Sequence, residues 1–487
     1  MEPVFPFDLA LPRAGGGLGR ALHDQLRAAI LDGRLAAGAA LPSTREAAAA
    51  LGVGRNTVVG AYDLLVAEGY VRARPGAKAQ VADIAQRRPA KSALRRPEDP
   101  RLNPAWRAPF LNAALPPGLP PRCFRLGIPE HRHFPHDVWR RLSAQTLRVW
   151  SRTGFSYAPG EGIAELREAI AHHVAFARAV ACTSDAVVVT SGAQQAFDLL
   201  ARALVTPGQT KVAVEEPGYP PLRAAFGAAG ARVVSVPVDD EGMCIETLPA
   251  DVRVVSVTPS HQSPTGVALS MRRRTALLAF ARARGAVIVE DDYDGEFRFG
   301  SRPLDALQTL DRDGLVFYVG TFSKSLFPAL RKGFIVAPAW ARDVLVAVKQ
   351  CADSHSDAIT QAVLAAFIRD GHLARHVRHM RPIYAQRRDT LLRGLEKHLK
   401  PWLAPIPSEA GLHLAARIRD PERAADVIAQ ARQHTPGAQA IAEYASSPAS
   451  CPPALSFGYG VIDADEIAAA LQRLGRALAG KRAATRS

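Results

Sequence analysis

The sequence predicts a small helical domain closed by a hairpin, of the winged helix-turn-helix kind, joined by a linker to a large α/β domain. Three observations predict it. Residues 14–83 hold helical periods separated by Gly-containing turns and end in a short hairpin pattern. Residues 84–121 are rich in proline, arginine and alanine and show little periodicity, which reads as a linker. In residues 122–480, β-branched runs end in crowds of polar side chains, as in buried strands of an open sheet that binds ligands at its C-terminal edge.

Length and composition agree. A chain of 487 residues exceeds one ordinary domain. With 48% hydrophobic and 22% charged residues it is globular rather than disordered. No stretch approaches a membrane span and no secretory leader pattern opens the chain, so a cytoplasmic location without a membrane partner is expected. Cys123, Cys182, Cys244, Cys351 and Cys451 are scattered and odd in number; they are expected to be reduced, mostly buried thiols, with no disulfide framework and no metal site. The net charge of +15 points toward polyanions, although arginine-rich composition also arises without them. Charge gathers in the linker, where Arg87, Arg88, Lys91, Arg95, Arg96, Arg101 and Arg107 face only Glu98 and Asp99.

In the small domain, Leu18, Leu22, Leu26 and Ile30 recur at helical spacing and Gly33 ends that helix. Ser43 to Glu46 has the form of a capping box and opens a second helix through Leu51. Gly52-Val53-Gly54 turns into a third helix from Arg55 to Gly69, and Tyr70 to Val81 reads as a hairpin. A three-helix bundle shares this pattern, so the pattern alone does not choose between the two.

In the large domain, Tyr157-Ala-Pro-Gly160 precedes a helix. The strand Val187 to Val189 delivers Ser191, Gly192, Ala193 and Gln194 to a helix start, whose unpaired N–H groups and dipole suit a phosphate. Another strand ends at Tyr219. Two further runs, Ala286 to Val289 and Leu315 to Val319, lead into Glu290-Asp-Asp-Tyr-Asp294 and Gly320-Thr-Phe-Ser-Lys324. If extended geometry persists to Tyr293, then Asp291 and Tyr293 point the same way and meet Lys324. A lysine for an aldehyde, an acid for a ring nitrogen and a phenol for a ring oxygen form the set that holds pyridoxal phosphate. His372, His376 and His379 lie on a basic helix that is expected to meet solvent or acidic neighbours rather than metal.

The wording of these segments carries a resemblance. Gly38-Ala-Ala-Leu41-Pro-Ser-Thr-Arg45, Leu51-Gly-Val-Gly-Arg55-Asn-Thr-Val58 and Glu68-Gly-Tyr-Val71 resemble the GntR-type DNA-binding domain. Ser323-Lys324, Leu330-Arg331-Lys332-Gly333 and the Asp-Asp-Tyr strand end resemble fold-type I pyridoxal-phosphate proteins, the aspartate aminotransferase superfamily. Together with Thr258-Pro-Ser-His-Gln262 and Glu296-Phe-Arg298, they resemble the MocR-type regulators over nearly the whole chain. The fold class implied is a winged helix-turn-helix joined to an α/β aminotransferase-like domain.

The resemblance implies that Lys324 carries the Schiff base, Asp291 faces the pyridine nitrogen and Tyr293 the ring oxygen. Tyr219 would stack on the ring. Ser191 to Gln194, Ser323 and Arg331 would take the phosphate, with Tyr157 reaching the cofactor of a second copy in a homodimer. Ser43, Arg45, Arg55, Asn56 and Thr57 are the candidate contacts to a double-stranded DNA operator. Two departures bear on activity. Ser263 stands where aminotransferases usually carry asparagine, and Cys451-Pro-Pro-Ala-Leu455 lacks their carboxylate-binding arginine, for which Arg417 is a candidate substitute. The expected function is a regulator that senses an amine, an amino acid or pyridoxal phosphate, and not an enzyme; the alternative is a true aminotransferase with a DNA-binding appendage.

Overall fold

The computed structural model describes residues 4–12, 17–73, 78–83, 120–153, 156–300, 305–447 and 451–484. All of the expected linker but its last two residues, and the wing tip at 74–77, lie outside them. The chain forms two compact units, Met1–Leu102 and Asn103–Ser487.

The first unit holds α1 (Leu18–Leu31), α2 (Thr44–Leu51), α3 (Arg55–Ala67), β1 (Val71–Arg72) and β2 (Gln80–Val81). Leu22, Leu26 and Ile30 of α1 bury against Ala47, Val58, Tyr62, Leu65, Val71 and Val81, so the helical period and the hairpin share one core. Ser43 caps α2 by accepting from the Glu46 amide, while the Glu46 side chain accepts from the Ser43 amide, which confirms the capping box. Gly52 ends α2 in the left-handed region and α3 follows after Gly54, which offers no side-chain cap. With β1 and β2 paired antiparallel, the order is that of a winged helix.

The second unit is built on a mixed sheet. Its elements are α4 (His136–Thr153), α5 (Ala164–Arg178), β3 (Val187–Thr190), α6 (Ala193–Leu204), β4 (Lys211–Glu216), α7 (Pro220–Ala228), β5 (Arg232–Asp239), β6 (Gly242–Met243), β7 (Val252–Val257), α8 (Met271–Arg284), β8 (Val287–Asp292), β9 (Val316–Thr321) and β10 (Gly333–Val336). Among the described residues the strand order is β3-β10-β9-β8-β7-β4-β5-β6. The run β9-β8-β7-β4-β5 is parallel, and β10 lies antiparallel between β9 and β3. Helices cover both faces, so the central strands read as unbroken apolar runs: Val212, Val254, Ile288, Val289, Phe317 and Val319 are all buried.

The chain then runs through α9 (Arg342–Asp353), α10 (Ala358–Arg369), α11 (His372–Gly394), β11 (Leu403–Pro405), β12 (His413–Ile418), α12 (Ala424–His434), β13 (Gln439–Ala440), β14 (Ala454–Gly458) and α13 (Ala464–Ala484). The four strands form a second, antiparallel sheet in the order β11-β12-β14-β13. On the basic helix α11, Arg387 is buried against Glu130 at 2.6 Å. His376 packs on Phe134, and burial pushes its pKa down to about 4. The cysteines correct one expectation. All five are free, but only Cys123 is buried and Cys351 is exposed, because scattered cysteines carry no period that reports on burial.

Candidate functional site

The C-terminal ends of β8 and β9 open into a cavity of about 630 Å³ whose lining includes Asp291, Tyr293, Ser323, Lys324 and Arg331. Alternation along β8 puts consecutive acids to opposite uses. Asp292 turns away from the cavity and is buried against Arg178 Nε at 2.6 Å and the Tyr318 hydroxyl at 2.7 Å. Asp291 faces the cavity, and its Oδ1 is buried with no hydrogen-bond partner among the described residues. Burial first, then the carboxylates of Asp292, Asp294 and Glu215, push the Asp291 carboxyl well above the usual carboxylate range; Lys324 acts against them. A buried acid without a partner awaits a donor. Tyr293 lies just past the end of β8 yet lines the same cavity, so the two meet as the extended reading requires.

Lys324 follows β9 by three residues, in a turn. Its amine donates to the Gly127 carbonyl at 2.7 Å. Burial lowers its pKa, and the guanidinium groups of Arg125 and Arg331 act the same way, while Asp294 and Asp291 oppose them. Gly127 has φ +70°, a backbone conformation that favours glycine, and a Cβ there would stand 2.6 Å from the lysine Nζ, the far end of a flexible side chain. The segment Arg125 to Ile128 lines the cavity, although nothing in its sequence marked it as part of the site.

At the other end, α6 begins at Ala193 with Gly192 as an N-cap that makes no side-chain bond, and Ala193 and Gln194 line the cavity. The first N–H groups of α6 have no partner within the helix, which suits an anion. Arg331 donates to the Ser191 carbonyl at 2.8 Å, and so stands beside the same helix start. Ser323 accepts from the Thr321 hydroxyl at 3.0 Å. Tyr219 lines the cavity with its ring edge-on to Phe197. Ser263 lines it too.

Three buried residues behind Tyr293 were missed as functional candidates. The Tyr293 hydroxyl donates to the His261 carbonyl at 2.8 Å, His261 Nδ1 lies 3.0 Å from Asp294, and the His261 ring lies tilted at 42° to that of His413, 4.3 Å away. His261 and Asp294 sit in motifs quoted above, but their pairing across the ends of β7 and β8 is visible only once the strands lie side by side.

Two expectations fare differently. Arg417 does not reach the cavity: it stands on β12 paired with Asp240, half exposed, so it is no substitute for a carboxylate-binding arginine. Tyr157 is 89% exposed and lies outside the cavity lining. In the first unit, Arg45, Arg55 and Asn56 are exposed and Thr57 is half-buried, while the Ser43 hydroxyl is occupied in the cap of α2.

The donor set fits pyridoxal 5'-phosphate: an amine for the aldehyde, an unpartnered buried carboxyl for the ring nitrogen, and a helix start with an arginine for the phosphate. Comparison with known proteins agrees. Residues 18–81 match the profile of bacterial regulatory proteins of the gntR family, and residues 122–443 match aminotransferase class I and II. The chain is 40% identical over 405 residues to the probable rhizopine catabolism regulatory protein MocR of Rhizobium meliloti, covering 82% of this chain and 81% of that protein. It is 33% identical over 402 residues to the pyridoxine biosynthesis transcriptional regulator PdxR of Corynebacterium glutamicum, covering 82% and 83%. Among solved structures it is similar to the α-aminoadipate aminotransferase LysN of Thermus thermophilus, with 28% identity, a TM-score of 0.66, and 74% and 92% of the two chains covered. The kynurenine aminotransferase of Pyrococcus horikoshii gives 26% identity, a TM-score of 0.68, and 74% and 90% covered. The chain therefore belongs to the MocR-type regulators of the GntR family, in which a winged-helix DNA-binding domain is joined to a fold-type I aminotransferase-like domain that takes pyridoxal 5'-phosphate as cofactor.

Proposed function

We propose that the large domain is a sensor: it binds pyridoxal phosphate through Lys324 and reports the presence of an amine, an amino acid or the cofactor itself to DNA binding by Arg45, Arg55, Asn56 and Thr57. The observation that carries this reading is the meeting of the Lys324 amine and the unpartnered Asp291 oxygen in one cavity of a chain that also bears a winged helix. When bound, the cofactor supplies an aldehyde carbon open to primary amines and a ring that draws electrons from it. The protein's part is positional. Lys324, its proton affinity lowered by burial, is the amine placed for that aldehyde. Asp291 holds a proton or a charge at the ring nitrogen, Tyr219 covers the ring, and Arg331 with the start of α6 fixes the phosphate. Ser191 and Ser323 are assigned to the same phosphate end.

Ser263 in the wall and the pairing of Arg417 with Asp240 outside the cavity favour sensing over turnover, since neither the amide nor the arginine of the aminotransferase pattern stands at its usual position. The exposed ring of Tyr157 is assigned to a second copy's site in a homodimer. The test is borohydride reduction of the purified protein with peptide mapping, followed by operator binding measured across a panel of amines. Label on Lys324 and an amine-dependent change in DNA affinity that Lys324→Ala abolishes are expected. An unchanged response in Lys324→Ala rejects the sensor, and steady release of keto acid identifies an aminotransferase.

A further inference from the structure

Among the described residues lining the cavity, the lysine and arginine side chains are Arg125, Lys324, Arg331 and Arg432, and the acids are Asp291 and Glu443. Most of these charges have a use. Arg331 stands at the start of α6, beside Ser191. Lys324 faces the aldehyde and Asp291 the ring nitrogen in the reading above. Arg432 and Glu443 satisfy each other at 3.0 Å, both well exposed at the rim. Arg125 is left over: its guanidinium makes no hydrogen bond or ion pair with any described residue, yet it lies close enough to Lys324 to disfavour the charge on that amine.

The backbone that presents Arg125 is fixed. Phe124 donates from its amide to the Pro436 carbonyl at 2.9 Å and accepts from the Gly458 amide at 2.9 Å, and its buried ring meets Phe457 edge-on. Gly458 passes so near the Arg125 carbonyl that a Cβ there would collide with it. A guanidinium held by such a backbone offers a planar fork suited to a carboxylate or another acid group. A ligand that closed the cavity without an anion would leave that cation short of water and of partners, which is costly.

We propose that Arg125 is the specificity-determining residue of the site, binding the acid group of an effector whose amine end lies toward Lys324. This rests on the reading of the cavity as an amine sensor. Effectors are then primary amines carrying a carboxylate or similar acid, and the same amine without the acid is rejected.

The test uses the full-length, cofactor-loaded protein and the change in its visible absorption as a binding readout. The common α-amino acids and β-alanine are each titrated beside the amine left by removing the carboxyl group. In the wild type at least one acid is expected to bind on the order of tenfold or more tightly than its amine. Arg125→Gln should bring that ratio near one, and Arg125→Lys should restore part of it. An acid preference that survives in Arg125→Gln overturns the assignment and leaves the sensor standing. Loss of the cofactor itself from Arg125→Gln, with fold intact by circular dichroism, places Arg125 on the cofactor and overturns it as well. A spectrum that no amine or amino acid alters defeats the reading of the cavity as an amine sensor and this proposal together.

Discussion

The Lys324 amine is hydrogen-bonded to the carbonyl oxygen of Gly127, 197 residues earlier in the chain. The residue assigned to the cofactor and the segment that leads into the large domain are thus tied at one atom pair, and whatever takes the lysine must break that bond. Gly127→Ala tests the tie. A Cβ at φ +70° costs about 1 kcal/mol in backbone strain, and it would press on the amine from 2.6 Å. We expect a small drop in melting temperature together with slower and weaker cofactor uptake, followed by absorption. Uptake equal to the wild type at an unchanged melting temperature would show that the contact is incidental.

Asp291 offers a second, sharper test. Its orphaned Oδ1 is the strongest sign that a donor belongs in the cavity. Asp291→Asn keeps the shape and removes the charge; a hydrogen bond to a charged group is worth about 2 kcal/mol, so cofactor affinity should fall roughly thirtyfold. Without cofactor the same variant should be as stable as the wild type or more so, because burial and its acidic neighbours oppose the charge on Asp291. Equilibrium dialysis and thermal melts of the apo-protein measure the two effects separately. An Asp291→Asn protein that binds cofactor as tightly as the wild type would remove Asp291 from the site.

Lys324 sets the pH dependence. Burial holds its pKa below the ordinary lysine value, and Arg125 and Arg331 push the same way. Only the unprotonated amine attacks an aldehyde, so cofactor uptake should rise with pH and level off at a midpoint below that of free lysine. Asp294→Asn removes an opposing charge and should move the midpoint down, while Arg125→Gln should move it up. Between the lowered folded value and the ordinary one, the unfolded chain holds more protons at this group, so it adds stability as pH rises. Stopped-flow absorption across pH gives the midpoints; a wild-type midpoint at or above that of free lysine contradicts the shift.

What was legible in the sequence follows from locality. Asp291, Tyr293 and Lys324 sit at the ends of apolar runs, and the edge of a parallel sheet gathers such ends whatever the loops do. The helices of the small domain announced themselves by period and by the box at Ser43. Arg125 and Gly127 gave no signal, because their segment is held at the site by backbone bonds from the neighbouring Phe124 to Pro436 and Gly458, far along the chain, and such bonds leave no pattern in side chains. His261 and Asp294 were in view as letters, but their pairing needed the register of β7 against β8. Arg417 misled because a candidate arginine on a strand was weighed without its neighbour: Asp240, outside that strand, claims it.

The two arginines of the small domain separate positioning from reading. Arg45 is exposed near the start of α2 and Arg55 is exposed as the first residue of α3. A phosphate contact carries no sequence information, so Arg45→Ala should weaken binding to all DNA alike and reduce the salt slope by about 1. A base contact does carry it, so Arg55→Ala should cost about 1–3 kcal/mol on the operator and much less on unrelated DNA. Fluorescence anisotropy over a range of salt, with operator and scrambled duplexes, distinguishes these outcomes. If Arg55→Ala lowers affinity equally for both duplexes, α3 is not the reading helix. The pocket assignments in the large domain would stand regardless, since they depend on none of these contacts.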